Sequence, residues 1–137
     1  MIRGMTGLVL LLCASVSQAG PPPPRYRAVV HSGRSRAAVI AEAKETLLAV
    51  LSGEQVYYQK FVTFTDAADI ADIRVKLGLD LSDASARWAV SVSGASLTGF
   101  VAKAEGRDDT KAEGLVVALS YQRGQPLVWT VEKTRGR

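Results

Sequence analysis

Few side chains in this chain stand in a pattern that could carry a reaction. His31 is the sole histidine, so a Ser-His-Asp relay would have to be built on it. Ser32 beside it lacks the strand-turn-helix setting of a nucleophile elbow, and His31 is expected on a helix surface. Asp66, Asp69 and Asp72 recur every third residue, with Asp80 and Asp83 downstream. Carboxylates are the ligands calcium takes, but no EF-hand spacing is present, and a solvated acidic loop is the expectation. Arg25, Arg27, Arg34 and Arg36 form a basic group that suits anionic headgroups or an acidic patch on a partner. Tyr57, Tyr58 and Phe61 are expected in core or hinge packing rather than in a binding platform. No catalytic residue, cofactor, metal site or small-molecule substrate is assigned.

The elements that position these groups must come from 137 residues, which is one domain at most. The formal charge of +4 is concentrated at the two ends, while all thirteen acidic residues lie between residues 37 and 132. The body is therefore slightly acidic and lacks the basic stripe of a nucleic-acid binder. The one cysteine, Cys13, excludes an internal disulfide. Leu12 precedes it where lipoprotein processing wants a small residue.

Residues 1–19 have the parts of a signal peptide. Arg3 supplies the positive start, residues 8–14 a short apolar core, and Ser17-Gln18-Ala19 a small-x-small site before Gly20. The apolar run falls short of the ~20 residues that span a bilayer. Pro21 to Pro24 make residues 20–24 a stiff, extended spacer, which leaves 25–137 as the globular part.

In that part, Val30, Gly33, Ala37, Ile40, Ala43, Leu47 and Val50 recur at three and four, the stripe of a long amphipathic helix running through Gly53 to about Tyr58. A short strand over 26–31 followed by a helix from Ser35 is the competing local reading. Residues 63–71 read as a loop or one helical turn within a variable region of about 60–87. Residues 72–81 alternate Ile73, Val75, Leu77, Leu79 and Leu81, which predicts an extended segment.

Four strands follow. Trp88, Val90 and Val92 share a face, and Ser93-Gly94 predicts a two-residue turn that sets Val92 opposite Ala95 and Val90 opposite Leu97. Residues 105–111 form a polar loop. Leu115, Val117, Leu119 and Tyr121 alternate, residues 122–126 turn, and Leu127, Trp129 and Val131 alternate again. The fold class is α+β, a long amino-terminal helix covering one face of a four-stranded antiparallel meander.

In order, Pro24-Arg25-Tyr26, SRAAVIAEAKETLLAV, GEQVYYQKF, LGLDLSD, WAVSVSG and TGFVAKAEGRDDTKAEGLVV resemble the head of the type IV pilin and type II secretion pseudopilin superfamily. The resemblance spans roughly residues 24–129. It implies a non-enzymatic structural subunit that is exported to the periplasm, cell envelope or an extracellular filament. Its partners would be other pilin-like subunits, envelope assembly proteins and the membrane surface, and some pseudopilins hold calcium in loops of the head. Arg3-Gly4-Met5-Thr6 is similar to the family's processing site, with the cut between Gly4 and Met5. Two departures stand out. Val9 replaces the glutamate usual at the fifth position after the cut, and SVSQAGPPPP interrupts the apolar assembly helix. Cleavage between Ala19 and Gly20, releasing a soluble secreted binding module with the same head, is the alternative.

Overall fold

The computed structural model describes residues 35–134. In chain order these form helix α1 (Arg36–Phe61), helix α2 (Ile70–Leu77), a single 3₁₀ turn (Ala84–Ala86), and strands β1 (Trp88–Ser93), β2 (Gly99–Gly106), β3 (Leu115–Gln122) and β4 (Val128–Lys133). The strands make one antiparallel sheet whose spatial order follows the chain. The architecture is α+β, as expected.

Helix α1 begins where Ser35, in extended conformation, accepts a hydrogen bond from the Ala38 amide through its side chain at 3.2 Å. Ser35 as N-cap satisfies one of the first turn's orphan donors, which fits the Ser35 start. The possible strand at 26–31, and Val30 and Gly33 of the stripe, lie outside the described residues. The helix passes through Gly53, as expected, and runs to Phe61. A Cβ on Gly53 would stand 2.8 Å from Leu79 Cδ1, so glycine lets the chain after α2 cross close to the helix.

The buried side of α1 is Val39, Ala43, Thr46, Leu47, Val50, Gly53 and Glu54. Ala43, Leu47 and Val50 match the expected stripe. Ala37 is exposed and Ile40 only half-buried, because the helix is rotated to turn Val39 inward instead. This side packs on β2 and β3. There it meets Phe100, Ala102, Ala104, Val117 and Leu119, in one core with Val90 and Val92 of β1 and with Trp88 fully buried at the end of the sheet. Small Ala102 and Ala104 leave room for the helix to approach the sheet.

Three expectations are corrected. Residues 72–81 are not extended, since 70–77 are helix α2. Asp69 caps its start by accepting the Asp72 amide at 2.8 Å, and Gly78 ends it in the left-handed region at φ 69°. Val75, second in the apparent alternation, is 82% exposed.

The β1–β2 turn is also wider than two residues. Val92 faces Ala102 and Val90 faces Ala104, not Ala95 and Leu97, and Leu97 is exposed. Local turn propensity at Ser93-Gly94 yields to tertiary bonds that hold the loop open. Ala95 N donates to Asp66 Oδ1 at 2.8 Å, and Phe64 N to the Ser96 carbonyl at 3.1 Å.

Finally, the region 60–87 carries α2 and the 3₁₀ turn rather than loop alone. Strand β4 forms where the alternation placed it, but the helix leaves it largely uncovered, with Trp129 only half-buried and Val131 exposed.

Val62 closes α1 in the left-handed region, φ 57°, with its amide donating to the Tyr58 carbonyl at 2.8 Å. For a β-branched residue this conformation costs about 1–2 kcal/mol, and Val62 is 61% exposed, so little packing offsets it. Val62→Gly is therefore expected to raise unfolding stability by about 1 kcal/mol. A denaturant midpoint that stays put or falls would contradict this.

Candidate functional site

The three aspartates of the acidic loop are each engaged with the chain itself. Asp66 accepts the Ala95 amide. Asp69 caps α2, and Asp72 Oδ2 accepts the Ala68 amide at 2.9 Å while pairing with Lys76 Nζ at 3.2 Å. The Ala68 bond and the Lys76 contact hold the Asp72 carboxyl below the usual carboxylate range. Their three-residue spacing is the spacing of a helix cap and first turn, and it brings no ligand shell together. Among the described residues no group of three or more His, Cys, Asp and Glu is placed to hold a metal ion.

Of the basic group, Arg36 is the exposed first residue of α1. Arg25, Arg27, Arg34, His31 and the two processing pairs Gly4-Met5 and Ala19-Gly20 lie outside the described residues. The aromatics divide. Tyr58 packs on Phe64 at 4.8 Å between centroids, and Phe64 continues to Phe100 and Tyr121. Arg123 lies over the Tyr58 ring at 4.7 Å and donates from Nη1 to its hydroxyl at 2.6 Å. Tyr57 and Phe61 instead stack at 4.6 Å beside a shallow cleft of about 180 Å³, with Phe61 exposed. A second cleft, of about 280 Å³, is lined by Tyr58, Phe64, Tyr121 and Arg123. Both fall below the ~300–1,000 Å³ of typical small-molecule sites.

Two carboxylates on α1 dominate the polar interior. Glu42, expected between the stripe positions as a residue that can face water, is instead turned to the sheet, and Glu54 had no expectation attached to it. Glu42 receives Arg87 Nε on Oε1 at 2.9 Å and Arg87 Nη2 on Oε2 at 2.7 Å, a two-pronged pair. Its Oε1 also accepts the Trp88 indole N–H at 3.1 Å, which satisfies the one polar atom of that buried ring. Glu54 is 0% exposed. Its Oε1 accepts the Thr65 amide at 2.8 Å, and its Oε2 is buried without a hydrogen-bond partner.

Burial pushes the Glu54 carboxyl up to about 7; the Thr65 bond and Lys76 oppose the rise and Asp66 adds to it. A buried charge without full pairing favours the neutral acid. The sequence did hold a signal for Glu54, which follows Leu47 and Val50 at helical spacing and so lies on the apolar stripe.

No helix among the described residues is long and apolar enough to cross a membrane. Comparison with protein-family models, with curated proteins and with solved structures returned no match.

Because the folded value for Glu54 lies above that of an exposed glutamate, the neutral form favours folding. Its contribution is whole below about pH 4.5 and is lost as pH rises through about 7. The loss is on the order of 3 kcal/mol. Wild-type stability is expected to decline between pH 5 and pH 8, and Glu54→Gln to flatten that decline. Parallel pH profiles from denaturant titrations of the two proteins would contradict the assignment.

Proposed function

We propose that this chain is a non-enzymatic, pilin-like subunit or accessory of a type IV pilus or type II secretion pseudopilus, exported to the cell envelope. One observation carries the reading: a 26-residue helix lies across a four-stranded antiparallel meander whose strand order follows the chain. In the sequence that helix is preceded by an apolar leader and a proline spacer. In this order of elements a leader segment can join an assembly while the head presents its loops. The non-enzymatic part of the reading draws support from Asp69, Asp66 and Glu42, which cap α2, brace the β1–β2 loop and clamp α1 to the start of β1.

In the proposed role, Arg36 with Arg25, Arg27 and Arg34 meets anionic headgroups or the acidic loop of a neighbouring subunit. Neither contact needs a cofactor, metal or small-molecule substrate, and nucleic acid is not a partner in this reading. A second reading keeps the same head as a soluble secreted or periplasmic binding module. Val9, standing where the assembly glutamate is usual, and the signal-like Ser17-Gln18-Ala19 favour it.

The mature amino terminus separates the two. Mass spectrometry of the protein from its native envelope is expected to find a start at Met5, because only filament assembly needs residues 5–19. A start at Gly20 would overturn the filament reading in favour of the secreted module.

A further inference from the structure

The Thr65 amide that Glu54 holds belongs to residues 62–69, the connection between α1 and α2. This connection leaves the helix through the strained left-handed Val62 and ends at Asp69, the cap of α2. Between them it is fastened to the edge of β1. Ala67 and Val92 exchange backbone hydrogen bonds of 3.0 and 2.8 Å, and Phe64 N and Asp66 Oδ1 tie the connection to the β1–β2 loop. The connection therefore covers the N–H and C=O of Val92, edge groups that would otherwise be open to pairing with another strand.

We propose that Glu54 is the latch of a protonation-controlled cover: neutral, it holds residues 62–69 closed over the edge of β1, and ionised, it lets them lift. A neutral carboxyl accepts the Thr65 amide at Oε1 and leaves only an unpaired O–H at Oε2, a smaller cost in dry surroundings than a charge. An ionised one accepts the Thr65 amide more strongly at Oε1 but leaves a charged Oε2 buried without a donor, a larger penalty that admitting water relieves.

Two routes could admit it. Unpacking α1 would sacrifice the buried Val39, Ala43, Leu47 and Val50, whereas lifting 62–69 breaks a few loop bonds, exposes Phe64 and Ala67, and frees Val62 from its strained conformation. The second route costs less.

The ionisable groups that face Glu54 are Asp66 on the connection itself and Lys76 on α2. Asp66 disfavours the Glu54 anion, and Lys76 moderates this while its Nζ also donates to the Asp66 carbonyl at 2.9 Å. The resulting titration near pH 7 puts the change in the neutral range rather than the acidic range of ordinary glutamates. The latch is independent of any filament role.

Amide hydrogen exchange on the full chain, at pH 6 and pH 8 and corrected for intrinsic rates, tests it. Protection at Thr65, Ala67 and Val92 is expected to fall at least tenfold from pH 6 to pH 8, while Val117 and Leu119 in β3 keep theirs. Glu54→Gln is expected to abolish the fall, and Asp66→Asn, which removes a like charge, to move its midpoint to lower pH. The same fall in Glu54→Gln, or unchanged protection at Ala67 and Val92 in the wild type, would overturn the proposal. Should Glu54→Gln fail to fold, the Asp66→Asn midpoint decides, and an unmoved midpoint overturns it.

Discussion

The carboxylate of Glu42 fixes how helix α1 sits on the sheet, and the rest of the described body is arranged around that seating. Glu42 grips the guanidinium of Arg87 and the indole N–H of Trp88, adjacent residues at the entrance to β1. Apolar burial alone is non-directional and would tolerate neighbouring rotations of α1. The clamp selects one, and that rotation brings Val39 rather than Ala37 inward and continues through Ala43, Leu47 and Val50. It also allows Trp88 to be fully buried with its single donor satisfied. A buried indole left unpaired would cost about 1–3 kcal/mol.

The same helix carries a second carboxylate in the opposite condition. Glu42 is paired and keeps part of its surface in water, whereas Glu54, near the far end, is dry and half-satisfied. One end of the helix is thus pinned by charge and the other depends on a proton. The connection that leaves α1 carries Phe64, whose ring joins Tyr58, Phe100 and Tyr121 in an aromatic cluster. Packing there favours closure and opposes the strain at Val62.

The strands were legible in the sequence wherever period-two alternation met a buried face, as with Trp88, Val90 and Val92 in β1 and with Leu115, Val117 and Leu119 in β3. The passage of α1 through Gly53 was legible too. Helix α2 was not, because Ile73, Val75 and Leu77 imitate a strand. The deciding information lay instead in the cap residues Asp69 and Gly78, which specify where a short helix starts and stops. The width of the β1–β2 loop depends on Asp66, 29 residues from its partner Ala95, and the clamp joins residues 45 and 46 positions apart. Pairings at such separation leave no local trace in a single chain. Glu54 was accessible in principle, as a charged residue in step with Leu47 and Val50. The candidate aspartates show the converse, since a spacing suggestive of ligands proved to be that of a helix cap and loop braces.

If the Glu42 clamp orients the helix, its two partners must be energetically coupled. A double-mutant cycle with Glu42→Ala and Arg87→Ala, read as unfolding free energies at neutral pH, measures that coupling directly. A favourable coupling of about 1–2 kcal/mol is predicted for a two-pronged, partly buried pair. A coupling indistinguishable from zero would mean that apolar packing alone seats α1, and would contradict the account.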